Sequence, residues 1–427
     1  MDGGLHDEAE PLYKRAIKIF EHATPINDED IGKGCANLAY LYREQGRFAE
    51  AEPLFQRALE LVSLSLPADH VDVAKILNNL ALVVQAGGRF TDAEVLHKKA
   101  LTIYEKQLAE DDLERITCLS NLALLYHKQG KLSEAETYYI RVLALREKSP
   151  PQDDPTIARS LSNLGGVYLQ QGRFPEAETY YKRALSIRES RLPELHPDLT
   201  NSLANMAALF AAQSLWDAAA VYARRAQSIA VARAKRAGGG PTTSLNAPKA
   251  ELTNYAFAWL VEADWQLFQA DRTRSELLDE SFRAAQWSAQ TAAGSALAQL
   301  GARLSIRDEA LGRKVRERQD LVAEWQNLDA LLIGLSGQRD QLYQQLAELD
   351  RKIRKLDDAL VSAYPSYSAL AIPEAQSVTD VIGLIHDDEA LIQFAFLADK
   401  AYVWVLTSRA VRWVKLSETP VNISLLV

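Results

Sequence analysis

Five asparagines stand at a fixed interval of 42 residues: Asn37, Asn79, Asn121, Asn163 and Asn205. A primary amide both donates and accepts, so a row of amides on one surface can hold the backbone of an extended peptide. Four residues before each of them stand Lys33, Lys75, Thr117, Arg159 and Asn201, which one helical turn would place on the same face. The three cations of that second row, Lys33, Lys75 and Arg159, would favour acidic side chains or a terminal carboxylate. The competing reading is that each amide bonds to the neighbouring unit and serves only to hold the stack together. Arg15, Arg57, Arg141 and Arg183, which fall between the rows, read as a solvated outer face.

Other residue types capable of chemistry are sparse. Cys35 and Cys118 occupy matching apolar stretches two periods apart and read as small packing residues rather than as a disulfide or a nucleophile. His97 takes a position held by Phe55, Tyr139 and Tyr181 in other periods, so it too reads as a packing residue. No pair of histidines has metal-ligand spacing, and no cofactor is expected.

The elements that must carry the amides follow from the same clock. Asn-Leu-Ala or a close variant recurs with each asparagine, and Gly46-Arg47-Phe48, Gly88-Arg89-Phe90, Gly130-Lys131-Leu132 and Gly172-Arg173-Phe174 keep the same interval. Each glycine motif leads into an acidic-Ala-Glu triplet carrying Ala51, Ala93, Ala135 or Ala177; Gly4 and Ala9 extend the pattern backward, so the chain reads as opening inside a repeat. A fixed period of this length is the mark of a stacked repeat. Cys35, Leu77, Leu119, Leu161 and Leu203, followed four residues later by Ala39, Ala81, Ala123, Gly165 and Ala207, give one apolar helical face. The glycine ends that first helix in a left-handed cap, and the acidic triplet begins the second. Pro155 behind Asp154, and Pro197-Asp198, are helix-start signals. The fifth period is degraded, with Ser214-Leu215-Trp216 in place of Gly-Arg-Phe.

The chain of 427 residues is long enough for two or more domains; its net charge of −9 argues against nucleic-acid binding, and no apolar run is long enough to span a membrane. A cytoplasmic location is expected. Residues 1–230 read as the repeat array and 231–250 as a Gly-rich linker. Residues 251–365 read as a helical region, and 366–427 as the beginning of a further domain that the chain does not complete. Leucines and other apolar residues step by 4 and 3 at Leu321, Trp325, Leu328 and Leu332, and again from Leu342 to Leu360, with Gly334-Leu335-Ser336-Gly337 between. This is either a coiled-coil hairpin or a pair of amphipathic helices packed on a neighbouring domain. The period then changes to that of strands at 390–396, 400–406 and 411–416. Those strands are expected to expose an unpaired edge and an apolar face carrying Phe394, Phe396, Tyr402 and Trp404.

The Asn-Leu-Ala-x-x-Tyr run, the Gly-Arg-Phe turn and the Glu-Ala-Glu helix start resemble the tetratricopeptide repeat, in the 42-residue variety of kinesin light chains. That resemblance implies a mostly α fold, an α-solenoid whose concave face is lined by first helices and takes a protein or peptide ligand. Glu276–Trp287, Val315–Leu321 and the run from Asp388-Glu389-Ala390-Leu391 to Tyr402-Val403-Trp404 resemble the segment that joins such repeats to the caspase-like CHAT domain of bacterial proteins. That likeness implies the first strands of a truncated α/β domain. The catalytic His and Cys would lie after Val427, so no catalytic residue is expected in this chain.

Overall fold

The computed structural model of the protein describes residues 2–23, 27–148, 154–236, 248–289, 309–334, 339–363, 375–397 and 400–416. These are mostly helical and form two compact units, residues 1–187 and 188–427.

The first unit contains α1 (Asp2–Glu21), α2 (Asp28–Glu44), α3 (Phe48–Ser65), α4 (Val71–Ala86), α5 (Phe90–Gln107), α6 (Leu113–Lys128), α7 (Leu132–Glu147), α8 (Pro155–Gln170) and most of α9 (Phe174–Arg191). Even-numbered helices are the first helices of the repeats, and the odd-numbered helix that follows each is its second. The 42-residue clock reappears as geometry. Gly46, Gly88, Gly130 and Gly172 all have φ between 72 and 78°, the left-handed conformation that glycine adopts without steric cost. In the degraded fifth period Ser214 adopts the same conformation at φ 59°. Helix starts repeat as well: the side chains of His70, Asp112, Asp154 and His196 each accept a hydrogen bond from the backbone N–H two residues on.

Within each pair the helices approach over small residues. Ala39, Ala81 and Ala123 are fully buried. At Gly165 even a methyl group would come within 2.7 Å of the Tyr181 ring. The position opposite is filled by Phe55, His97, Tyr139 and Tyr181, all buried. A histidine placed there brings a polar ring into the packing: Nδ1 of His97 lies 2.9 Å from Oδ1 of Asn78, a residue replaced by Ala36, Ser120 and Ser162 in the other repeats.

The second unit holds the end of α9 and then α10 (Pro197–Ala212), α11 (Trp216–Arg236), α12 (Pro248–Ala270), α13 (Ser275–Ala289), α14 (Glu309–Gly334), α15 (Arg339–Ala363) and the short α16 (Val378–Ile382). Its helix α11 continues to Arg236, into the segment expected to be linker. Three antiparallel strands follow, β1 (Ala390–Leu397), β2 (Lys400–Thr407) and β3 (Val411–Leu416), in that spatial order. Cross-strand partners Gln393–Trp404–Trp413 and Ala395–Tyr402–Lys415 lie on one face of the sheet, and Phe394–Val403–Val414 on the other.

Here the structure corrects one expectation. Tyr402 and Trp404 are fully buried, because α12 and α13 cover their face of the sheet. Trp265 meets the rings of Tyr402 and Trp413 edge-on at 5.7 and 5.0 Å, Trp404 stacks on Trp413 at 5.5 Å, and Phe282 lies 6.3 Å from Trp404. Aromatic residues of the two helices and of the strand face thus form one core. The expectation holds on the opposite face, where Ile392, Phe394 and Val414 are each about half exposed; the side chain of Phe396 lies outside the described residues. Replacing Ile392 and Phe394 together by lysine is therefore expected to raise the concentration at which the protein stays monodisperse in light scattering, with Tyr402 and Trp404 fluorescence unchanged. An unchanged solubility limit would show that this face is not what makes the protein associate.

The two heptad segments form α14 and α15, which pack on each other through Val322, Trp325, Leu346, Leu349 and Ile353. Gly334 ends α14, and the rest of the expected turn, residues 335–337, lies outside the described residues.

Candidate functional site

The amide row lies along the first helices. Its members differ in what already holds them. Asn37 is exposed and Asn163 half-buried, and neither side chain has a hydrogen-bond partner among the described residues. Asn79 is engaged twice: its Oδ1 accepts from the Arg43 guanidinium on the preceding first helix, and its Nδ2 donates to the Lys75 carbonyl at 2.9 Å. Asn121 donates to Asn78 Oδ1 of the preceding repeat at 3.3 Å. Asn205 is half-buried and belongs to the second compact unit. Two of the four amides in the first unit thus also bridge repeats.

The cation row divides in the same way. Lys33 is bound by Glu29 at 2.6 Å and lies 3.7 Å from Asp72 of the next repeat. The Glu29 hydrogen bond raises its pKa. Lys75 lies 3.7 Å from Glu114. Arg159 is exposed and has no carboxylate partner among the described residues. Apolar surface accompanies the rows three residues on, at Tyr40, Leu82 and Leu124, with the Arg43 guanidinium 4.5 Å from the centre of the Tyr40 ring.

A second array is not foreseen from the sequence, although its members belong to the recurring motifs. The second Glu of each acidic-Ala-Glu triplet reaches the basic residue of the next Gly-Arg-Phe turn. Arg47 binds Glu10 at 2.6 Å, Arg89 binds Glu52 at 2.5 Å, Lys131 binds Glu94 at 2.9 Å and Arg173 binds Glu136 at 3.0 Å. The tyrosine of Asn-Leu-Ala-x-x-Tyr closes the clip: Tyr42 donates to Glu10 at 2.9 Å and Tyr126 to Glu94 at 3.1 Å. The cation then sits over the ring, at 3.8 Å for Arg47 on Tyr42 and 4.2 Å for Arg173 on Tyr168. Hydrogen bonds from Arg47 and then Lys14 hold the Glu10 carboxyl at about 2, and those led by Lys98 hold Glu94 at about 2 as well. The recognisable motifs are thus the two sides of one inter-repeat joint. The constant offset of opposite charges, 37 residues, was the available signal. Three of the arginines read as a solvated outer face belong to a parallel ladder, with Arg57–Glu21 at 2.6 Å, Arg141–Glu105 at 2.8 Å and Arg183–Glu147 at 2.5 Å.

The thiols face inward. Cys118 is fully buried, its Sγ 3.6 Å from the His97 carbonyl, and burial pushes its pKa up to about 12; burial raises that of Cys35 too. A nucleophilic cysteine needs the opposite shift. Among the described residues no three His, Cys, Asp or Glu side chains gather as a metal site, and no helix is long and apolar enough to cross a membrane.

Comparison with protein families agrees with this geometry. Residues 33–106, 72–148 and 156–230 match a tetratricopeptide repeat model, and residues 120–191 match a second one. The chain contains tetratricopeptide repeats, which are protein-interaction elements. Similar solved structures include BtubC (BKLC) from P. vanneervenii, 24% identical over 53% of this chain and 92% of that one, with a TM-score of 0.46. A putative kinesin light chain from Podosopora anserina with nearly identical TPR-like repeats is 23% identical over 48% and 95%, TM-score 0.43. The apo form of RapI is 15% identical over 76% and 99%, TM-score 0.47. No curated protein matches the chain.

Proposed function

We propose that the first-helix face, lying on the concave side of the repeats, binds an extended acidic peptide. The binding would regulate an attached caspase-like domain of the CHAT type, of which strands β1–β3 are the beginning. The observation that carries the reading is the contrast along the face. Lys33 and Lys75 already have carboxylate partners, and Asn79 and Asn121 already bond neighbouring helices. Arg159 and Asn163, one turn apart on α8, have no such partners among the described residues. An unpaired guanidinium beside an unpaired amide suits a carboxylate side chain next to a peptide bond. Acid recognition is therefore assigned to the fourth repeat rather than spread along the row.

With a glutamate-rich decapeptide as probe, Arg159→Ala combined with Asn163→Ala should weaken binding by about 1–3 kcal/mol, the scale of lost hydrogen bonds to a charged group. Lys33→Ala should cost under about 1 kcal/mol, the scale of an exposed ion pair. Isothermal titration with unchanged helicity checks both. Equal losses at the two positions would overturn the fourth-repeat assignment, and no measurable binding by the unaltered protein would overturn the acidic-peptide reading. A second reading, the recognition half of a cysteine peptidase, is favoured by the resemblance of residues 276–287, 315–321 and 388–404. It requires a histidine and a cysteine at strand ends in sequence following Val427, which translation of the adjoining reading frame would test.

A further inference from the structure

The helices α14 and α15 are attached to the rest of the second unit differently from the sheet. Where the sheet meets α12 and α13, the joint is made of aromatic rings. The hairpin keeps its apolar seam to itself: the cluster of Val322, Trp325, Leu346, Leu349 and Ile353, with Leu321, Leu328, Leu342 and Tyr343 packed against it, contains residues of α14 and α15 only.

What crosses to the last turns of α11 is charge. The Arg233 guanidinium meets the Asp329 carboxylate in a two-point fork at 2.7 and 3.4 Å, and Arg236 binds Asp350. Arg318 binds Asp357 across the hairpin and also donates to the Lys235 carbonyl at 3.3 Å. All four residues of the two crossing pairs have side chains no more than 16% exposed. Rings at this joint are met from the side or by a cation, with the Arg233 guanidinium 5.1 Å from Trp325 and His196 edge-on to Tyr343 at 6.3 Å.

We infer that the α14–α15 hairpin is an arm latched onto α11 by the Arg233–Asp329 and Arg236–Asp350 pairs, able to swing away as a body with its own seam intact. A joint of buried ion pairs differs in kind from a joint of packed rings. Each guanidinium can be transferred to another carboxylate at little net cost, but the loss of one partner leaves a buried charge and opens the joint abruptly. Rings offer no such exchange. The latch also touches the start of α10: Arg233 donates at 2.6 Å to the Leu195 carbonyl, next to His196, whose ring caps α10 by accepting from the Asp198 N–H at 3.1 Å. Arm position and the start of α10 are therefore read by the same guanidinium. The competitor suited to open the latch is an acidic segment able to take over Arg233 and Arg236 together.

The full chain carrying Ser228→Cys and Lys352→Cys tests this, because both positions are exposed while native Cys35 and Cys118 are buried and escape spin labelling. The unaltered latch should give one narrow inter-label distance. Asp329→Asn with Asp350→Asn should add a second, longer distance, the open-to-closed ratio rising at least about a hundredfold, as expected when buried guanidiniums lose their partners. Exchanging the charges of one pair, Arg236→Asp with Asp350→Arg, should restore most of the single distance. One unchanged distance in the neutralised variant at native helicity would overturn the latch. Loss of helicity in place of a second distance would overturn the arm as a separate body.

Discussion

Lowering the pH from 7 to 4 is expected to cost the repeat array about 3 kcal/mol through His97 alone, at about 1.4 kcal/mol per pKa unit. Burial lowers the imidazole's pKa from 6.5 to about 4. The unfolded chain therefore takes up the proton first. The contribution is fully retained above pH 6.5, is lost progressively as the pH falls towards 4, and changes no further below that. His127 is shifted in the same direction by its own burial and adds to the slope. Glu10 and Glu94 act in a lower window, losing their clip interactions only between about pH 4.5 and 2. The control is His97→Phe with Asn78→Ala, which places at both positions the residue types found in the first repeat, Phe55 and Ala36. The gap between urea midpoints at pH 7 and 4.5 should narrow for this variant relative to the native protein, the remainder being carried by groups such as His127. An equal acid shift in both would show that His97 is not the titrating group.

Removing the carboxylate of Glu262 is expected to cost about 3–5 kcal/mol, the scale of breaking a buried ion pair from one side. Glu262 is 3% exposed on α12 and accepts from Tyr402 of β2; Lys400 lies at 3.1 Å and Lys415 of β3 at 3.5 Å. Burial alone would raise its pKa, but the hydrogen bonds of Tyr402, Gln266 and Lys400 outweigh that, and the net shift is downward. Glu262→Ala leaves two ammonium groups and a phenol without their acceptor at the sheet's covered face. Hydrogen exchange should show amides of residues 390–416 losing protection while those of α2–α8 keep theirs. Glu262→Gln, which retains an acceptor, should fall between. Unaltered protection in the sheet would mean the ring packing suffices without the charge.

The helices and strands were legible because their periods are local properties of the chain. The φ of Gly46 and the N-cap of Asp154 need only neighbouring residues to be understood. Pairings made at a distance were not. Nothing near Tyr402 in sequence points to Trp265 or Glu262, which lie on an element that reads as helix for its own reasons. The asparagine row was visible, yet its division into engaged and unengaged members was not. That division depends on single departures from the repeat, Arg43 and Asn78, whose counterparts elsewhere are residues such as Gln85 and Ser120.

The clip joining Glu, Tyr and Arg has a consequence for how such an array can change in length. Each unit presents a carboxylate forward and a cation backward, as Glu52 faces Arg89 and Arg47 faces Glu10. A duplicated stretch of one full period would arrive carrying both halves of the connection and would find both waiting, wherever between two clips it was inserted. A stretch of any other length would not. The array can thus be lengthened or shortened by gene duplication in whole periods without inventing a new contact.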